Sequence, residues 1–547
     1  MIFPFKNSIK QFLFHLNRKF ASIYYFFIIN RNPILDNNGF RILFVVDDIG
    51  EKDLNSRRLR SFISLKKRNP NIDLIYLSKL ETGRHLNLSS YLNSVKENFD
   101  FFWLDTKACV PIKNFALPQN ENNFAKGDSI SYDTFNSSLN RPFFKPEFSI
   151  DMFLDLDYLE GGVLFSVEVL SFLGDKRDFG LKEIYIDLIL SIYSRGNRLI
   201  HSKRIGFICD KLPRRSSIYQ NNILSIYNSK AFPTKMHSIE EVNGKAFFQY
   251  KIKKPFVSIV IPFRDKVDLL KVAVESIFQK SKYEKFEILL VSNQSKEPET
   301  LDYLAKLKKE KNNIAVIEYD HVFNFSAINN FAANLAKGEA LLFLNNDTKI
   351  ITNNFLEIMT SYAMNESIGG VGPKLLFEDH LIQHAGIILG LTGLAEHAFK
   401  EMKDDDRIDS YGSVQWTRNY LALTAAALMV EKKKFTQVGG FNEKLVVCGN
   451  DVNLGIKLFE AGFRNVYLPQ VELYHYESKS RKGTPIPIGD FKESILSYSK
   501  YLEQGDPFFH PRLSLTLPWF SYNYSTIPSH FKNLKYIKKM MPEIFPN

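Results

Sequence analysis

The sequence predicts an α/β fold built on a mostly parallel sheet, and it predicts that fold in two successive blocks. Short runs of β-branched and other apolar residues alternate with stretches that carry apolar residues at helical spacing. Turn-forming residues close several of these runs. Strands that alternate with helices form a mostly parallel sheet, and such sheets bind ligands at the carboxyl ends of their strands.

The first block opens with a strand at residues 41–46 and has a second strand at residues 72–77. The second block is more regular and opens with a strand at residues 255–262 that a proline closes. The strands that follow in the second block are predicted at residues 287–291, 314–317 and 340–344, and its helices at residues 269–278, 301–309 and 331–336.

Length and composition narrow the class of protein. A chain of 547 residues is expected to form roughly two to four domains. The apolar content of 45% and the charged content of 24% exclude a largely disordered chain. The net charge of +11 suits partners that carry phosphate: nucleic acid, a nucleotide-activated substrate or an anionic membrane. We expect no nucleic-acid partner, because no binding module appears and the positive charge is dispersed.

Cysteine usage and the N-terminus bear on location. Cys109, Cys209 and Cys448 lie far apart and form no Cys-x-x-Cys pair, which argues against disulfides and structural zinc and favours a reducing, cytoplasmic compartment. No apolar run reaches the roughly 18–20 residues that span a bilayer. Residues 1–39 are basic and aromatic, and two interpretations stay open: a helix on the inner face of the cytoplasmic membrane, or a helix packed on its own domain.

Three side chains of the second block suggest chemistry. Asp347 ends the sequence Asn345-Asn346-Asp347 after an apolar strand, where a carboxylate can hold Mg²⁺ or Mn²⁺ against a diphosphate. Asp451 lies near a helix start, where the helix dipole favours an anion that can act as a general base. His475 follows an apolar run and suits a metal ligand. The alternatives are a turn residue, a helix cap and a half-buried histidine, respectively.

A basic stretch with Lys479 and Arg481 follows His475 and is typical of a phosphate-binding loop or of a solvated charge run. Taken in order, these motifs resemble glycosyltransferase family 2, and in particular its bacterial branch in the synthesis of O-antigen and rhamnose-containing polysaccharides. The segments that carry the resemblance are residues 257–266, 323–330, 338–348, 372–376, 382–386, 438–441, 450–451 and 475–481.

The resemblance implies a GT-A type fold, which is Rossmann-like with a mixed, mostly parallel sheet, and it implies a role for each site residue. Asp347 stands in the DxD-type metal motif, His475 matches a histidine that completes the metal site, and Asp451 matches the catalytic base. Ser292 stands where the family often has an aspartate that binds the base, so the nucleotide stays open. The residues expected at the nucleotide sugar are Pro262, Phe263, Arg264, Ser292, Asn293, Asn329, Asn345, Asn346, Lys479 and Arg481.

A weak internal repeat relates the two blocks. Residues 185–196 align without a gap with residues 451–462, and residues 104–107 align with residues 344–347. In this alignment Lys107 falls at the metal carboxylate and Tyr185 at the base. A protonated lysine cannot ligate a hard cation, and tyrosine is a poor base at neutral pH. By the family resemblance we therefore expect a degenerate, non-catalytic GT-A-like copy in the first block.

The expected activity is inverting, metal-dependent transfer of a sugar from a UDP- or dTDP-sugar to a bacterial surface glycan or lipid-linked oligosaccharide, with Mg²⁺ or Mn²⁺ as cofactor. Two alternatives stay open: a non-catalytic scaffold that binds sugars or nucleotides, and a nucleotidyltransferase. The latter needs a Gly-rich basic loop after its first strand, which residues 262–265 do not provide. The predicted domains are a basic aromatic segment (1–39), the degenerate copy (40–210), a linker (211–254), the catalytic domain (255–512) and a C-terminal extension (513–547).

Overall fold

The computed structural model divides the chain into two compact units. Unit 1 comprises Met1–Lys235 and Ile408–Gly412, and unit 2 comprises Met236–Arg407 and Ser413–Asn547. The predicted membrane segment at residues 1–39 lies outside the described residues. The structure describes residues 40–46, 57–69, 71–76, 88–105, 109–112, 115, 127–159, 161–173, 179–242, 245–476, 486–516, 520–525 and 527–541.

Unit 1 is built on one mixed sheet around an aromatic core, in which the rings of Phe44 and Phe207 lie 5.3 and 5.6 Å from that of Trp103. Its strands are β1 (Ile42–Val46), β2 (Ile72–Tyr76), β3 (Phe101–Leu104), β4 (Cys109–Pro111), β5 (Ser129–Asn136), β6 (Arg141–Phe143), β7 (Val163–Ser166) and β8 (Leu199–Cys209). Its helices are α1 (Arg57–Arg68), α2 (Leu88–Val95), α3 (Ile150–Asp155), α4 (Leu181–Ser194) and α5 (Ser217–Ser229), with 3₁₀ turns at Lys96–Asn98 and Val167–Phe172.

Unit 2 holds a larger mixed sheet and two separate hairpins. The hairpins pair β9 (Met236–Val242) with β10 (Lys245–Tyr250) and β18 (Ile387–Leu389) with β19 (Ala395–His397). The sheet strands are β11 (Val257–Phe263), β12 (Phe286–Ser292), β13 (Ile314–Glu318), β14 (Ala340–Leu344), β15 (Thr348–Ile350), β16 (Ile368–Leu376), β17 (Ile382–His384), β20 (Arg418–Tyr420), β21 (Ala427–Glu431) and β22 (Arg464–His475).

The three helices predicted in unit 2 are present, and each begins before its predicted first residue. The helix predicted at residues 331–336 begins six residues earlier, because the side chain of Asn324 caps it by accepting a hydrogen bond from Ala327 N (3.0 Å). The helices are α6 (Val267–Lys280), α7 (Pro298–Glu310), α8 (Phe325–Leu335), α9 (Phe355–Ala363), α10 (Lys432–Gln437), α11 (Asn450–Glu460), α12 (Ile488–Gln504) and α13 (Ser529–Met540).

The two sheets have the same topology. In unit 1 the order is β2-β1-β3-β7-β5-β8-β4, with β6 beside β5. In unit 2 the order is β13-β12-β11-β14-β21-β16-β22-β15, with β17 beside β16 and β20 beside β22. When β13 and β20 are left out, each hydrogen-bonded strand pair of the unit 2 sheet corresponds to a strand pair of the unit 1 sheet with the same relative direction. Each sheet then has three parallel and four antiparallel pairs.

The boundary between the units falls at Lys235, inside the predicted linker 211–254. That stretch is polar in sequence but contains α5, whose apolar side chains Tyr219 and Ile223 are buried, and the β9–β10 hairpin. The hairpin packs in unit 2, where the hydroxyl of Tyr362 donates to Phe248 O (2.8 Å). The C-terminal extension also belongs to unit 2, because Ile537 of α13 is buried against the core that contains α12.

The structure corrects one expectation about the cysteines. Cys109 and Cys209 form a disulfide between directly opposed residues of β4 and β8, with Cα atoms 4.3 Å apart. Their separation of 100 residues argued against pairing, but antiparallel strand pairing brings them together. Cys448 is a free, half-buried thiol. Cysteine spacing therefore no longer supports a reducing compartment.

Among the described residues, no helix combines the length and apolar character needed to cross a bilayer.

Candidate active site

Asp347 and His475 meet at one edge of the unit 2 sheet. Asp347 lies in the turn between β14 and β15, and His475 is the last residue of β22. Because β15 and β22 are antiparallel with Thr348 opposite His475, the two side chains become neighbours. Asp347 Oδ1 lies 3.2 Å from His475 Nε2, and both side chains are largely buried. The structure thus brings together the two predicted metal ligands, although they lie 128 positions apart in the sequence.

The imidazole of His475 is oriented by Gln383 from β17. His475 Nδ1 lies 2.8 Å from Gln383 Oε1, which can only accept, so we assign the ring proton to Nδ1. The amide nitrogen of Gln383 donates in return to His475 O (3.4 Å). Nε2 then keeps its lone pair, and it accepts from Asn345 Nδ2 at 3.3 Å. A ligating histidine typically has its other ring nitrogen fixed in this way.

The pair fits a divalent cation. Two ligands at neighbouring positions of a six-coordinate ion, each about 2.1 Å from it, lie about 3 Å apart. The Asp347–His475 distance of 3.2 Å agrees with this spacing. A carboxylate oxygen together with an imidazole nitrogen suits Mn²⁺ better than Mg²⁺, which prefers an all-oxygen shell.

Asp451 reaches the same edge from α11. Its Oδ1 accepts from Val452 N (2.8 Å) in its own helix, and its Oδ2 accepts from Ala425 N (3.3 Å). The next residue, Ala426, accepts through its carbonyl from Asn345 N (2.9 Å). Two consecutive residues before β21 therefore connect the candidate base with the metal-site turn. The helix N-terminus and both N–H donors stabilise negative charge on Asp451.

The loops after β11 and β12 form the predicted nucleotide edge. Asn293 N donates to Phe263 O (2.8 Å), which holds the two strand ends side by side. One carboxylate oxygen of Asp265 accepts from Lys296 N (2.8 Å) and Glu297 N (2.9 Å), so it ties the first loop to the start of α7. Arg264, in the loop after β11, is exposed, and Pro262 is half-buried.

The other predicted nucleotide-sugar residues differ in exposure. Asn345 is half-buried, whereas Ser292, Asn293, Asn329 and Asn346 are buried. The side-chain nitrogen of Asn293 donates to Tyr319 O and His321 O. The side-chain nitrogen of Asn329 donates to Phe325 O. Asn329 has no exposed surface and reaches a ligand only if the packing changes, so its contacts give its predicted role no support. Lys479 and Arg481 lie outside the described residues.

A pair of histidines lies behind this edge. His384 is fully buried, and its Nε2 is contacted by Gly386 N (3.3 Å) and Thr424 N (3.4 Å). These donors assign the proton to Nδ1, which donates to His397 Nδ1 at 2.7 Å. Burial, and then the nearby His397 and His475, lower the pKa of His384 well below its usual value, so it is neutral at neutral pH.

The sequence prediction missed Gln383 and His397 as parts of the site. A signal for Gln383 was present, because it lies in the segment 382–386 that carries the family resemblance. None was present for His397, since its place depends on the pairing of β18 with β19.

The family assignment follows from a direct match. Residues 258–378 match the family model described as Glycosyl transferase family 2. This segment is a glycosyltransferase family 2 domain. It runs from β11 to just beyond β16 and contains Asp347. Unit 2 has a mixed sheet of the GT-A type that the sequence predicts, in which the neighbouring strands β13, β12, β11 and β14 are parallel.

The chain is similar in sequence to two curated relatives, and one solved structure can be aligned with it. The chain is 34% identical over 392 residues to the "O-antigen biosynthesis protein RfbC" of Myxococcus xanthus, covering 69% of this chain and 30% of that protein. It is 30% identical over 393 residues to the "Uncharacterized protein y4gI" of Sinorhizobium fredii, covering 68% and 43%. The chain thus spans less than half the length of both relatives. The solved mannosyltransferase PcManGT from Pyrobaculum calidifontis, in complex with GDP-Man and Mn²⁺, is 13% identical with a TM-score of 0.36 over 66% of this chain and 87% of that chain.

Proposed function

We propose that the chain transfers a sugar, with inversion, from a nucleotide-sugar donor to a hydroxyl of a bacterial surface glycan. The observation that carries this proposal is the Asp347–His475 pair at the strand edge, together with the link of Asp451 to the adjoining turn. In that link Ala425 N donates to Asp451, and Asn345 N donates to the carbonyl of Ala426. The family of the matched domain supports the reaction class. The printed name of the Myxococcus xanthus relative supports O-antigen or a related polysaccharide as the product.

Asp451 is the proposed general base. Its carboxylate takes the proton of the acceptor hydroxyl while that oxygen bonds to the anomeric carbon. The bond between the anomeric carbon and the diphosphate breaks on the opposite face, so the configuration inverts and the electron pair leaves with the nucleoside diphosphate. The N–H groups of Ala425 and Val452 orient the carboxylate for this task.

Asp347 and His475 would hold a divalent cation, Mn²⁺ rather than Mg²⁺ by their donor set. Bound there, the ion would supply Lewis-acid neutralisation of the leaving diphosphate. Gln383 keeps the lone pair of His475 Nε2 directed at this position. Exposed Arg264 and the basic residues Lys479 and Arg481 add positive charge for the diphosphate of a UDP- or dTDP-sugar.

Unit 1 is proposed to be a non-catalytic copy of the same fold. Its sheet has the order and strand senses of the unit 2 sheet, yet none of residues 105–109 after β3 other than Asp105 is acidic. Asp105 is fully buried at the position that Asn345 takes in unit 2. The role proposed for unit 1 is to dock the glycan or lipid-linked acceptor.

Incubation with a panel of UDP-, dTDP- and GDP-sugars in Mn²⁺ or Mg²⁺ tests the proposal. We expect release of the nucleoside diphosphate from one donor, abolished by excess chelator and by Asp347→Ala, with Asp302→Ala on the exposed face of α7 as the control. NMR of the transferred sugar should show inversion. Full turnover in excess chelator, or retention of configuration, would contradict the mechanism.

The proposed place of action is the inner face of the cytoplasmic membrane, reached through residues 1–39. Removal of these residues should reduce co-sedimentation with anionic vesicles at low salt, and high salt should reduce binding of the full chain, because salt screens surface charge. Equal binding by the two chains would eliminate this segment as an anchor.

A further inference from the structure

The buried carboxylate of Asp490 holds the loop of residues 446–449, which leads into α11 and the proposed general base Asp451. Asp490 is in the first turn of α12 and is 1% exposed. It accepts hydrogen bonds from three consecutive backbone N–H groups: Oδ1 from Val446 (3.1 Å) and Oδ2 from Val447 (2.7 Å) and Cys448 (2.9 Å). Hydrogen bonds to a charged acceptor are about twice as strong as neutral ones, so these bonds fix the loop firmly.

The same face of α12 also contacts Gly449, the residue that follows Cys448. Gly449, the N-cap of α11, has a φ of 77°, and a Cβ there would lie 2.3 Å from Ser494 Oγ and 2.7 Å from the hydroxyl oxygen of Tyr498. The Tyr498 hydroxyl donates to Gly449 O (2.9 Å). Asp490, Ser494 and Tyr498 are spaced by four residues and therefore lie on one stripe of α12.

The loop is held from a second direction by α8. Phe325 N donates to Val446 O (2.9 Å), and Ser326 Oγ donates to Leu445 O (2.7 Å). The loop is therefore fixed through both its carbonyl and its N–H groups. It ends two residues before Asp451, so its position determines where the carboxylate of Asp451 lies.

We propose that Asp490 is a positioning residue for the general base: its carboxylate fixes residues 446–448 and thereby the start of α11. The inference rests on the proposed function of Asp451. An asparagine in its place has one acceptor oxygen and one N–H₂ donor, so at least one of the three backbone N–H groups loses its acceptor and the negative charge is lost. Nothing in this role requires Asp490 to contact substrate.

The test compares Asp490→Asn with the matched variant Glu493→Gln. Glu493 is a carboxylate of the same helix, and its Oε1 accepts from Asn442 Nδ2 (2.8 Å) outside the 446–449 loop. A misplacement of about 1 Å can cost roughly 10²-fold in rate, so we expect Asp490→Asn to lower kcat roughly 10- to 100-fold with the donor KM unchanged. Glu493→Gln should keep the wild-type kcat, and Asp490→Glu should recover part of it.

Hydrogen exchange at the amides of residues 446–448 gives a readout independent of activity. Exchange there should accelerate in Asp490→Asn and stay slow in Glu493→Gln. Unchanged exchange, or a kcat loss equal in the two variants, would overturn the positioning role. If Asp451→Asn retains wild-type transfer, the proposed function of Asp451 fails instead, which separates the two results.

A second, independent observation concerns the outer face of α13. Its sequence has no acidic residue, and its exposed positions include two aromatic side chains, Phe531 and Tyr536, that are 50% and 57% exposed. The exposed lysines of this helix are Lys532, Lys535, Lys538 and Lys539. Leu534 and Ile537 lie on the opposite face and pack on the core of unit 2.

The geometry points to this face as a contact with an anionic lipid surface. Lysines suit anionic headgroups, and exposed aromatic rings among them suit the boundary between headgroups and acyl chains. Free phosphate would interact with the lysines only, so the exposed aromatic rings favour a bilayer as the partner.

Vesicle flotation of the full chain tests this surface. Lys532→Glu/Lys535→Glu/Lys539→Glu should weaken binding to phosphatidylglycerol-containing vesicles about 100-fold, since each lysine contributes at an anionic surface. The matched control, Lys306→Glu/Lys308→Glu/Lys309→Glu, changes charge equally on the exposed face of α7. Phe531→Ser/Tyr536→Ser should also weaken binding. Equal binding by the α13 variant and its control, or no binding by the wild type, would overturn the assignment.

Discussion

The two sheets of this chain place different chemistry at the same topological position. In unit 2, β15 and β22 pair Thr348 with His475 at the edge proposed to hold the metal. In unit 1, the corresponding strands β4 and β8 pair Cys109 with Cys209 in a disulfide. Cys209 and His475 are separated by the same number of positions as Tyr185 and Asp451. The alignment of Tyr185 with Asp451 comes from the sequence repeat alone.

The same sheet position therefore serves the proposed chemistry in unit 2 and a stabilising cross-link in unit 1. Unit 2 keeps a carboxylate and an imidazole beside each other at a strand end, where a cation can compensate their burial. Unit 1 has a covalent bond there, and at the base position it has Tyr185, whose side chain is buried.

The largest effect is expected at the paired positions Asp451 and Tyr185. Asp451→Asn should lower transfer roughly 10²- to 10⁴-fold, because an amide cannot take the acceptor proton. Tyr185→Phe should leave transfer unchanged. Initial rates at saturating donor check both. The comparison breaks if Tyr185→Phe loses transfer as Asp451→Asn does.

The disulfide should act on stability and not on transfer. Cys209→Ser should lower the free energy of unfolding of unit 1 by about 2–4 kcal/mol, because the bond closes a long loop in the unfolded chain. Denaturant unfolding measures this effect, and Cys448→Ser, which removes the free thiol, is the control. Three titratable thiols in the native, unreduced protein would show that the bond does not form.

Asp506 should make the stability of unit 2 depend on pH. Burial raises the pKa of Asp506 to about 7, although Leu389 N and Phe508 N donate to its carboxylate. Because the folded pKa lies above the unfolded value of about 3.9, the stabilisation is complete below the unfolded pKa and is lost as pH rises through about 7. Between pH 5 and 8 the loss should be about 3 kcal/mol. Asp506→Asn should flatten this dependence in thermal unfolding, and an equal slope in both proteins would refute it.

The smallest effect is expected at Gln383. Gln383→Ala frees His475 Nδ1 and should weaken Mn²⁺ binding roughly 10- to 100-fold, as is typical when the partner of a metal-ligating histidine is removed. Calorimetric titration with Mn²⁺ measures it. Gln415→Ala, in the same unit but bonded to Asp404, is the control. Unchanged affinity in Gln383→Ala would show that the tautomer of His475 is fixed in another way.

Local sequence pattern predicted the strands that carry the site, because β11, β12 and β14 are continuous apolar runs with marked ends. It also singled out Asp347, Asp451 and His475, because each lies within three residues of the end of a strand or the start of a helix. Their roles stay proposals. Gln383 and Asp490 were not predicted as site residues, since their roles depend on hydrogen bonds to residues 92 and 42 to 44 positions away. The Cys109–Cys209 bond could not be predicted from cysteine spacing, because the pairing of β4 with β8 brings together residues 100 positions apart.

Equilibrium binding of Mn²⁺ in the presence of UDP, with the stoichiometry read from the electron paramagnetic resonance signal of free Mn²⁺, tests most directly whether Asp347 and His475 of unit 2 hold a divalent cation. If they do, Asp347→Ala should bind one ion fewer per chain than the wild type, and Cys209→Ser should bind as many as the wild type. Equal stoichiometry in Asp347→Ala and the wild type would contradict the proposed site.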